Sequence, residues 1–326
     1  MPGMSRSTIA VVVPAFNRCD LLRLALDSVA RQTWRDFETI VVDDGSTQDI
    51  AAAIEGHPAR PRLVRQSNSG PGGARNRGVS ATSADVIAFL DSDDEWLPTK
   101  LERFLACMEA RPDVPIWYGP MQPIDSEGRL VAGRTKDCVG GRITAALFQS
   151  SFVHVPTVVM RREVFDAFGG FNPSLPVCED YDLWLRISTR HEFGLVPDPL
   201  ALRRLHSQRL SKSSMRRNLV VKARVLEQFM HSADARGLLD MELAQSRLAR
   251  VLHASARAAF RDRRIRLARE MIARAREYGA TLPRVGLLSL AAEVALLLGL
   301  DRFDDGPPTT LDEAWADDRL PLSQRR

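Results

Sequence analysis

DVIAFLDSDDE, residues 85–95, is an apolar run that ends in a group of acidic residues. The run Asp85–Leu90 predicts a strand buried in a parallel sheet. Two earlier runs, Ile9–Val13 and Phe37–Val42, also predict strands, and they end in the polar sequences PAFN and DDGS. Because ligands bind beyond the carboxyl ends of parallel strands, we expect the three polar groups to share one edge of the sheet.

Helical patterns separate these strands and imply an α/β fold built from right-handed strand–helix–strand units. Apolar residues recur at helical spacing over 21–29, with Asp20 as the expected N-cap. The other elements predicted for this part are helices 50–55, 74–80 and 97–110, the strand Arg62–Arg65, and a loop at Gly70–Gly73. The segment 111–214 is less regular, with a strand predicted at Val155–Met160. From about residue 215 onward the pattern becomes helical, with an apolar stripe that includes Leu248, Leu252 and Ala259.

The 326-residue chain has a net charge of +4 that is unevenly distributed. Residues 1–214 carry 25 Lys and Arg against 26 Asp and Glu, residues 215–300 carry 16 against 8, and residues 301–326 carry 4 against 7. The nearly neutral first part is not built to bind a polyanion. The arginines of the basic part are spread round helices without interleaved aromatic residues, so we expect no nucleic-acid partner.

The basic region 215–300 also contains the longest apolar stretch of the chain, Val285–Leu300. The stretch has 16 residues and includes Glu293, which makes it short for a membrane span. A buried helix is one interpretation. The other is peripheral contact between the region 215–300 and an anionic membrane.

The cysteines indicate a reducing compartment. All 4 of them, Cys19, Cys107, Cys138 and Cys178, are scattered without a C-x-x-C pair, so neither a structural zinc site nor a disulfide framework is expected. The apolar run near the N-terminus is too short for the core of a signal peptide. We therefore expect a cytoplasmic protein, with a peripheral position at the inner face of the membrane as the alternative.

The acidic group after the predicted strand Asp85–Leu90 suggests a metal site. Asp91, Asp93, Asp94 and Glu95 place four carboxylates within five residues, and these repel one another unless a cation or solvent neutralises them. Carboxylate oxygens suit Mg²⁺ or Mn²⁺, which often bind substrate phosphates as well. The alternative is a solvated turn with acidic residues that cap the next helix.

Two other groups suggest a nucleotide. Asp43 and Asp44 follow their strand as the acidic residue of a dinucleotide site does, where a carboxylate accepts hydrogen bonds from the ribose. The glycine-rich segment 70–78 allows close backbone approach and contains Arg75 and Arg77, which suit phosphate contact. Each group alone also fits an ordinary turn or loop.

Four segments together resemble family 2 glycosyltransferases, which have the GT-A fold. They are VVVPAFNR at 11–18, QTWRDFETIVVDDGSTQD at 32–49, SGPGGARNRGVSATSADVIAFLDSDDEWLPTKLERF at 69–104 and FGGFNPSLPVCEDYDLWLRI at 168–187. Their order, spacing and intervening residues match the family, and the resemblance covers roughly residues 8–212. It is specific because several separated motifs agree.

The resemblance implies a role for each matching position. The nucleotide-sugar would be bound by Pro14, Ala15, Asn17, Asp43, Asp44, Arg75, Asp91 and Asp93. A divalent metal, Mn²⁺ or Mg²⁺, would be held by Asp93 or Asp94, with His206 as a further ligand. The family's usual tyrosine is absent before His206, where Arg203 and Arg204 stand instead, so a structural role for this histidine remains the alternative.

Asp180 matches the general base that deprotonates the acceptor hydroxyl. Its alternative role is the N-cap of a helix over Tyr181–Thr189. The implied reaction is transfer of a sugar, with inversion, from a nucleotide-sugar to a hydroxyl of a glycan or lipid-linked acceptor in glycan or polysaccharide biosynthesis. A UDP-sugar is the expected donor.

The implied fold is a GT-A, Rossmann-like mixed sheet flanked by helices, with an α-helical C-terminal extension. The glycosyltransferase domain is predicted over 1–214, with its nucleotide-sugar half over about 8–110 and its acceptor half over about 111–214. A helical region over 215–303 and a loose acidic tail over 304–326 are expected to follow.

Three other protein classes fit parts of this pattern. A haloacid-dehalogenase-like phosphatase also has D-x-D after an apolar strand, but it has Thr or Val where Glu95 stands here. A sugar-nucleotide pyrophosphorylase requires a basic glycine-rich loop directly after the first strand, where this chain has PAFN. A non-catalytic nucleotide-binding or scaffold protein is supported only by the basic region, and Asp94 and Asp180 argue against it.

Overall fold

The computed structural model describes residues 8–132, 137–206, 215–279, 287–288 and 290–292. The chain divides into two compact units, which are described separately. One comprises Met1–Pro173 and Glu179–Ser207, and the other comprises Ser174–Cys178 and Gln208–Arg326. The tail 304–326 and most of Val285–Leu300 lie outside the described residues.

The first unit is built on a seven-stranded sheet with the order β3-β2-β1-β4-β8-β6-β9. Its strands are β1 (Ile9–Ala15), β2 (Phe37–Asp43), β3 (Arg62–Arg65), β4 (Val86–Phe89), β6 (Ile116–Tyr118), β8 (Val159–Arg161) and β9 (Phe193–Leu195). The first four strands are parallel, whereas β8 runs antiparallel to both β4 and β6, so the sheet is mixed as predicted. The runs of β-branched residues in β1 and β2 are buried, as strands covered on both faces require.

Helices cover this sheet. They are α1 (Cys19–Ala30), α2 (Ile50–Ile54), α3 (Gly70–Ser80), α4 (Lys100–Ala110), α5 (Thr144–Gln149), α6 (Arg162–Ala167) and α7 (Glu179–Ser188). A Cβ atom at Gly78 would lie 2.3 Å from Val12 Cγ1, so glycine is required where α3 crosses β1. This close packing fixes the position of α3 on the sheet.

Some local predictions were wrong. The expected loop Gly70–Gly73 is the first turn of α3, because Pro71 is compatible with that position and Gly70 adopts a φ of +79°. The predicted N-cap, Asp20, lies inside α1, which begins at Cys19. The strand expected at Val155–Met160 is divided into a short 3₁₀ helix over Val155–Thr157 and the strand β8.

A second sheet of three strands has the order β5-β10-β7. Its strands are β5 (Asp94–Trp96), β7 (Met121–Ile124) and β10 (Ala201–Arg204). The last strand pairs antiparallel with β5 and places Arg203 opposite Asp94. This small sheet therefore brings the end of the first unit back to the acidic group that follows β4.

The second unit is helical over its described residues. It contains α8 (Met215–His231), α9 (Met241–Arg261) and α10 (Ile265–Glu277). The predicted apolar stripe of α9, which includes Leu248, Leu252 and Ala259, is buried. Among the described residues, no helix combines the length and the apolar character needed to cross a membrane.

Candidate active site

The carboxyl ends of three neighbouring parallel strands form one edge of the main sheet. Strand β1 lies between β2 and β4, and the register pairs Ala15 with Asp43 and Val12 with Phe89. The prediction that the polar groups after these strands share an edge is therefore confirmed. The geometry of each group decides what it can do chemically.

The loop after β1 organises the loop after β2. Asn17 adopts a φ of 51°, and its Oδ1 accepts hydrogen bonds from Thr47 N at 2.8 Å and Gln48 N at 3.2 Å. Its own backbone N–H donates to Ser46 Oγ at 3.0 Å. Pro14 and Ala15 are buried at the end of β1. The side-chain oxygen of Asn17 thus stabilises the loop after β2. The loop that contains Asn17 borders the edge of the sheet where the resemblance predicts the nucleotide.

The carboxylates at the end of β2, those of Asp43 and Asp44, each accept several hydrogen bonds. Asp43 is fully buried and accepts from Ser46 N at 2.9 Å and from Arg65 Nε at 2.7 Å. Burial alone raises the pKa of Asp43, but these hydrogen bonds outweigh that effect and leave its pKa below the ordinary value. Asp44 accepts from Ser69 N at 2.8 Å and from Gly70 N at 3.0 Å. Burial dominates here and raises the pKa of Asp44.

The carboxylates after β4 are arranged differently. Oxygen atoms of Asp91, Asp93 and Asp94 all lie within 4.8 Å of one another, and Asp93 and Asp94 are buried. Ligands on opposite sides of a Mg²⁺ ion are about 4 Å apart, so the three oxygens fit a single divalent cation. Glu95 does not belong to this cluster, because its carboxylate pairs with Arg204. We call Asp91, Asp93 and Asp94 the acidic cluster.

The structure brings His206 to the acidic cluster. The pairing of β10 with β5 carries the chain to Asp93, whose Oδ2 lies 2.9 Å from His206 Nε2. The same oxygen accepts a hydrogen bond from Arg18 Nη1 at 2.7 Å. A histidine and an arginine therefore adjoin one carboxylate of the cluster. No sequence pattern assigns a role to Arg18, since nothing local links it to a residue 75 positions away.

Arg204 contacts the acidic cluster through its backbone and Glu95 through its side chain. Its backbone N–H donates to Asp94 Oδ1 at 3.1 Å, and its buried guanidinium pairs with Glu95 and donates to Asp125 O at 3.0 Å. In the sequence, Arg204 stood out only as a departure from the family's pattern. Its structural role depends on a strand pairing across 110 residues, and no local sequence signal reveals that pairing.

Arg75 is buried between two carboxylates. Its Nη2 lies 2.7 Å from Asp91 Oδ1, and its Nη1 lies 2.7 Å from Glu179 Oε1. Burial alone lowers the pKa of Arg75, but the two carboxylates outweigh burial and raise it. Its Nε is buried without a hydrogen-bond partner in the described part of the chain. Sequence reasoning missed Glu179 as a partner of Arg75.

Asp180 lies in the first turn of α7. The helix begins at Glu179, so Asp180 is inside it and is not its N-cap. Its Oδ1 accepts a hydrogen bond from Tyr181 N at 2.7 Å. Burial, together with the negative charge of Glu179, raises the pKa of Asp180 to about 7. A carboxylate with this pKa can accept a proton near neutral pH.

Trp184, on the same helix, is fully buried. Its ring lies edge-on to Phe171, with 5.9 Å between the ring centroids. Trp184 is therefore a core residue that anchors α7, while Asp180 on the same helix is half-buried.

The chain is similar to known glycosyltransferases in sequence and in fold. Residues 10–169 match the family described as Glycosyl transferase family 2. An uncharacterized glycosyltransferase of Rickettsia bellii is 32% identical over 195 residues, which are 59% of this chain and 28% of that protein. The succinoglycan biosynthesis protein ExoW of Rhizobium meliloti is 44% identical over 100 residues, 28% of this chain and 31% of that protein. The chain covers only 28% to 33% of the first curated relatives it matches.

Two solved structures share the fold. S. aureus TarS 1-349 in complex with UDP aligns with a TM-score of 0.61 at 17% identity, over 96% of this chain and 90% of that one. The mannosyltransferase PcManGT from Pyrobaculum calidifontis, in complex with GDP-Man and Mn²⁺, aligns with a TM-score of 0.57 at 18% identity, over 97% and 86%. The mixed sheet, the acidic cluster after β4 and the family match lead to one conclusion: residues 10–169 of this chain match glycosyl transferase family 2, and the chain has the GT-A fold of its structural neighbours.

Proposed function

We propose that this protein transfers a sugar from a nucleoside-diphosphate sugar to an acceptor hydroxyl, with inversion at the anomeric carbon. The observation that carries the proposal is the acidic cluster, which is joined through Arg75 to the helix that contains Asp180. The fold neighbours support it, since TarS was solved with UDP and PcManGT with GDP-Man and Mn²⁺.

The donor side uses the residues at the sheet edge. The acidic cluster, with His206 beside it, would hold Mn²⁺ or Mg²⁺. Such a cation, when bound, stabilises negative charge on a departing nucleoside diphosphate. Arg18 adds a positive charge beside Asp93, and Pro14, Ala15, Asn17, Asp43 and Asp44 form the adjoining edge for the nucleoside. Arg75, which pairs with Asp91, adds a second positive charge on this side.

The acceptor side uses Asp180. As the acceptor oxygen attacks the anomeric carbon, its proton passes to the Asp180 carboxylate, and the bond from that carbon to the diphosphate breaks. A single displacement of this kind inverts the anomeric configuration. The raised pKa keeps Asp180 basic enough to accept the proton, at the cost of partial protonation at neutral pH.

The pH dependence follows from that pKa. A base must be deprotonated to act, so kcat/KM is expected to reach a plateau above pH about 7 and to fall roughly tenfold per pH unit well below it. Initial rates of sugar transfer between pH 5 and 9 measure this. A flat profile from pH 5 to 8 would contradict the assignment of Asp180.

The substrate class is proposed from the family and its named members. A UDP-sugar is the first donor to test, with GDP-mannose as the comparison. The similarity to a succinoglycan biosynthesis protein favours a glycan or lipid-linked acceptor in polysaccharide biosynthesis. The excess of basic residues in 215–300 supports peripheral contact with an anionic membrane at its cytoplasmic face, where a lipid-linked acceptor would be reached.

The test is a paired titration and turnover assay on Asp180→Asn. This change keeps the size of the side chain but removes its basicity, so transfer is expected to fall roughly 10²- to 10⁴-fold. Affinity for the metal and the nucleotide is expected to stay within a few-fold. If Asp180→Asn loses donor binding as severely as a variant of the acidic cluster does, Asp180 is a ligand and the proposed mechanism fails.

A further inference from the structure

Arg75 joins parts of the chain that are far apart in sequence. It bonds Asp91, 16 residues away, and Glu179, 104 residues away, both at 2.7 Å. Arg75 and Glu179 are buried, and the Arg75 guanidinium lies 5.3 Å from the centre of the Phe171 ring. One side chain of α3 therefore holds both the acidic cluster and the first residue of α7.

A second contact links α3 to Phe171, which precedes α7 and packs edge-on against Trp184 of that helix. The side chain of Asn76 donates to Phe171 O at 2.7 Å and accepts from Phe171 N at 3.0 Å. A Cβ atom at Gly72 would lie 3.1 Å from Glu179 Cγ, so α3 and Glu179 are in close contact. Because α3 itself is fixed on β1 through Gly78, the start of α7 is held relative to the main sheet.

Asp91, Arg75 and Glu179 form a charged triad, and Arg75 and Glu179 are buried. Burying such charges is an expensive way to gain stability, since desolvation offsets most of the attraction. The geometry of this triad is better suited to fixing the position of a neighbouring side chain than to stabilising the fold. The carboxylate of Asp180 follows Glu179 directly, and it is this carboxylate that must meet the acceptor oxygen to within a fraction of an ångström. The triad connects the donor-side carboxylates to that position.

Building on the proposed transfer reaction, we propose that Glu179 and Arg75 are positioning residues that fix Asp180 relative to the acidic cluster. The donor side has other supports, because Asp93 is held by Arg18 and Asp94 by the backbone of Arg204. Loss of Glu179 therefore displaces the base while leaving donor binding largely intact.

The test compares Glu179→Gln with a matched control on the same helix, Asp182→Asn. Asp182 also pairs with an arginine, Arg186, at 2.9 Å, but among the described residues that pair makes no bridge to the acidic cluster. Glu179→Gln is expected to lower kcat about 10- to 100-fold, as small misplacements of a catalytic group do. The Kd for UDP with Mn²⁺ is expected to change less than threefold, and Asp182→Asn is expected to leave both quantities within threefold.

A second measurement separates position from folding and does not depend on turnover. The charged groups that act on Asp180 are Glu179, Arg75 and Asp91. Removing the charge of Glu179 is expected to shift the Asp180 titration to lower pH, whereas Glu179→Asp keeps the charge and shortens the side chain. For Glu179→Asp we expect lower kcat with the titration unmoved. Carboxyl ¹³C NMR of the folded protein follows the titration, and the melting temperature verifies folding.

The outcomes distinguish this inference from the proposed function. If the wild type transfers sugar but Glu179→Gln matches Asp182→Asn in kcat and in the Asp180 titration, the positioning role is wrong and the transferase proposal stands. If the wild type transfers no sugar, the proposed reaction fails. A loss of UDP binding in Glu179→Gln equal to its loss of kcat would also overturn the positioning role.

Discussion

Two groups of acidic residues, at the ends of two parallel strands of the main sheet, look alike in sequence, yet they differ in their surroundings. Asp43 and Asp44, after β2, accept hydrogen bonds from backbone N–H groups of the loops that follow β2 and β3. Asp91, Asp93 and Asp94, after β4, converge on one another within 4.8 Å. The first pair organises loops, whereas the second group concentrates negative charge.

The difference comes from what each carboxylate faces. Backbone N–H groups at Ser46, Ser69 and Gly70 donate to the first pair, and Arg65 from the adjacent strand β3 pairs with Asp43. The second group is balanced by side chains from distant elements, namely Arg18, Arg75 and His206. Carboxylates that pair with side chains can release them and bind a cation instead. We therefore infer that only the second group binds the metal.

Of the changes that test this comparison, Asp94→Asn is expected to have the largest effect. A metal that stabilises a leaving group contributes several kcal/mol, so transfer is expected to fall about 10²- to 10³-fold. The matched control is Glu95→Gln, which removes the adjacent carboxylate outside the acidic cluster. Turnover with saturating donor measures both variants. An equal loss of turnover in the two would contradict a metal role that belongs to the acidic cluster and not to Glu95.

Asp44→Asn is expected to change stability more than chemistry. Each carboxylate oxygen accepts a backbone N–H, Oδ1 from Ser69 and Oδ2 from Gly70, and an amide can satisfy only one of them. An unsatisfied buried group costs about 1–3 kcal/mol, or roughly 2–4 °C in melting temperature per kcal/mol for a unit of this size. Thermal unfolding measures the loss. An unchanged melting temperature would show that these hydrogen bonds contribute little.

The smallest effect is expected in the pH dependence of stability. Asp43 has a lowered pKa in the folded state, so it contributes stability above its unfolded pKa, near 4, that is lost as pH falls through its folded pKa. The raised pKa of Asp44 has the opposite sign. Urea unfolding of Asp43→Asn at pH 6 and pH 3.5 is expected to show a smaller acid-induced loss than the wild type. A larger acid-induced loss of stability in Asp43→Asn than in the wild type would contradict the lowered pKa of Asp43.

Local sequence predicted the sheet edge well and the network around it poorly. The runs at β1, β2 and β4 are apolar and end in polar turns, so their position and parallel pairing could be predicted from pattern alone. The contacts of His206 with Asp93 and of Arg75 with Glu179 span 113 and 104 residues. They depend on how β10 and α7 return to the first half, and periodicity does not carry that information.

The resemblance supplied part of what the pattern lacked. It gave Asp180 and His206 roles that the residues alone left open, and the structure places His206 beside the acidic cluster. It gave no role to Arg18, Glu179 or Arg204, whose partners became visible only in three dimensions. The roles of the individual site residues remain predictions.

The most direct test of the central claim is the thermal shift caused by a nucleoside diphosphate with and without metal. A ligand that binds only the folded state raises the melting temperature in proportion to its affinity and concentration. We predict that UDP or GDP raises the melting temperature of the wild type more with Mn²⁺ than with EDTA, and that Asp94→Asn abolishes this difference. Equal shifts with Mn²⁺ and with EDTA in the wild type would contradict a metal role for the acidic cluster.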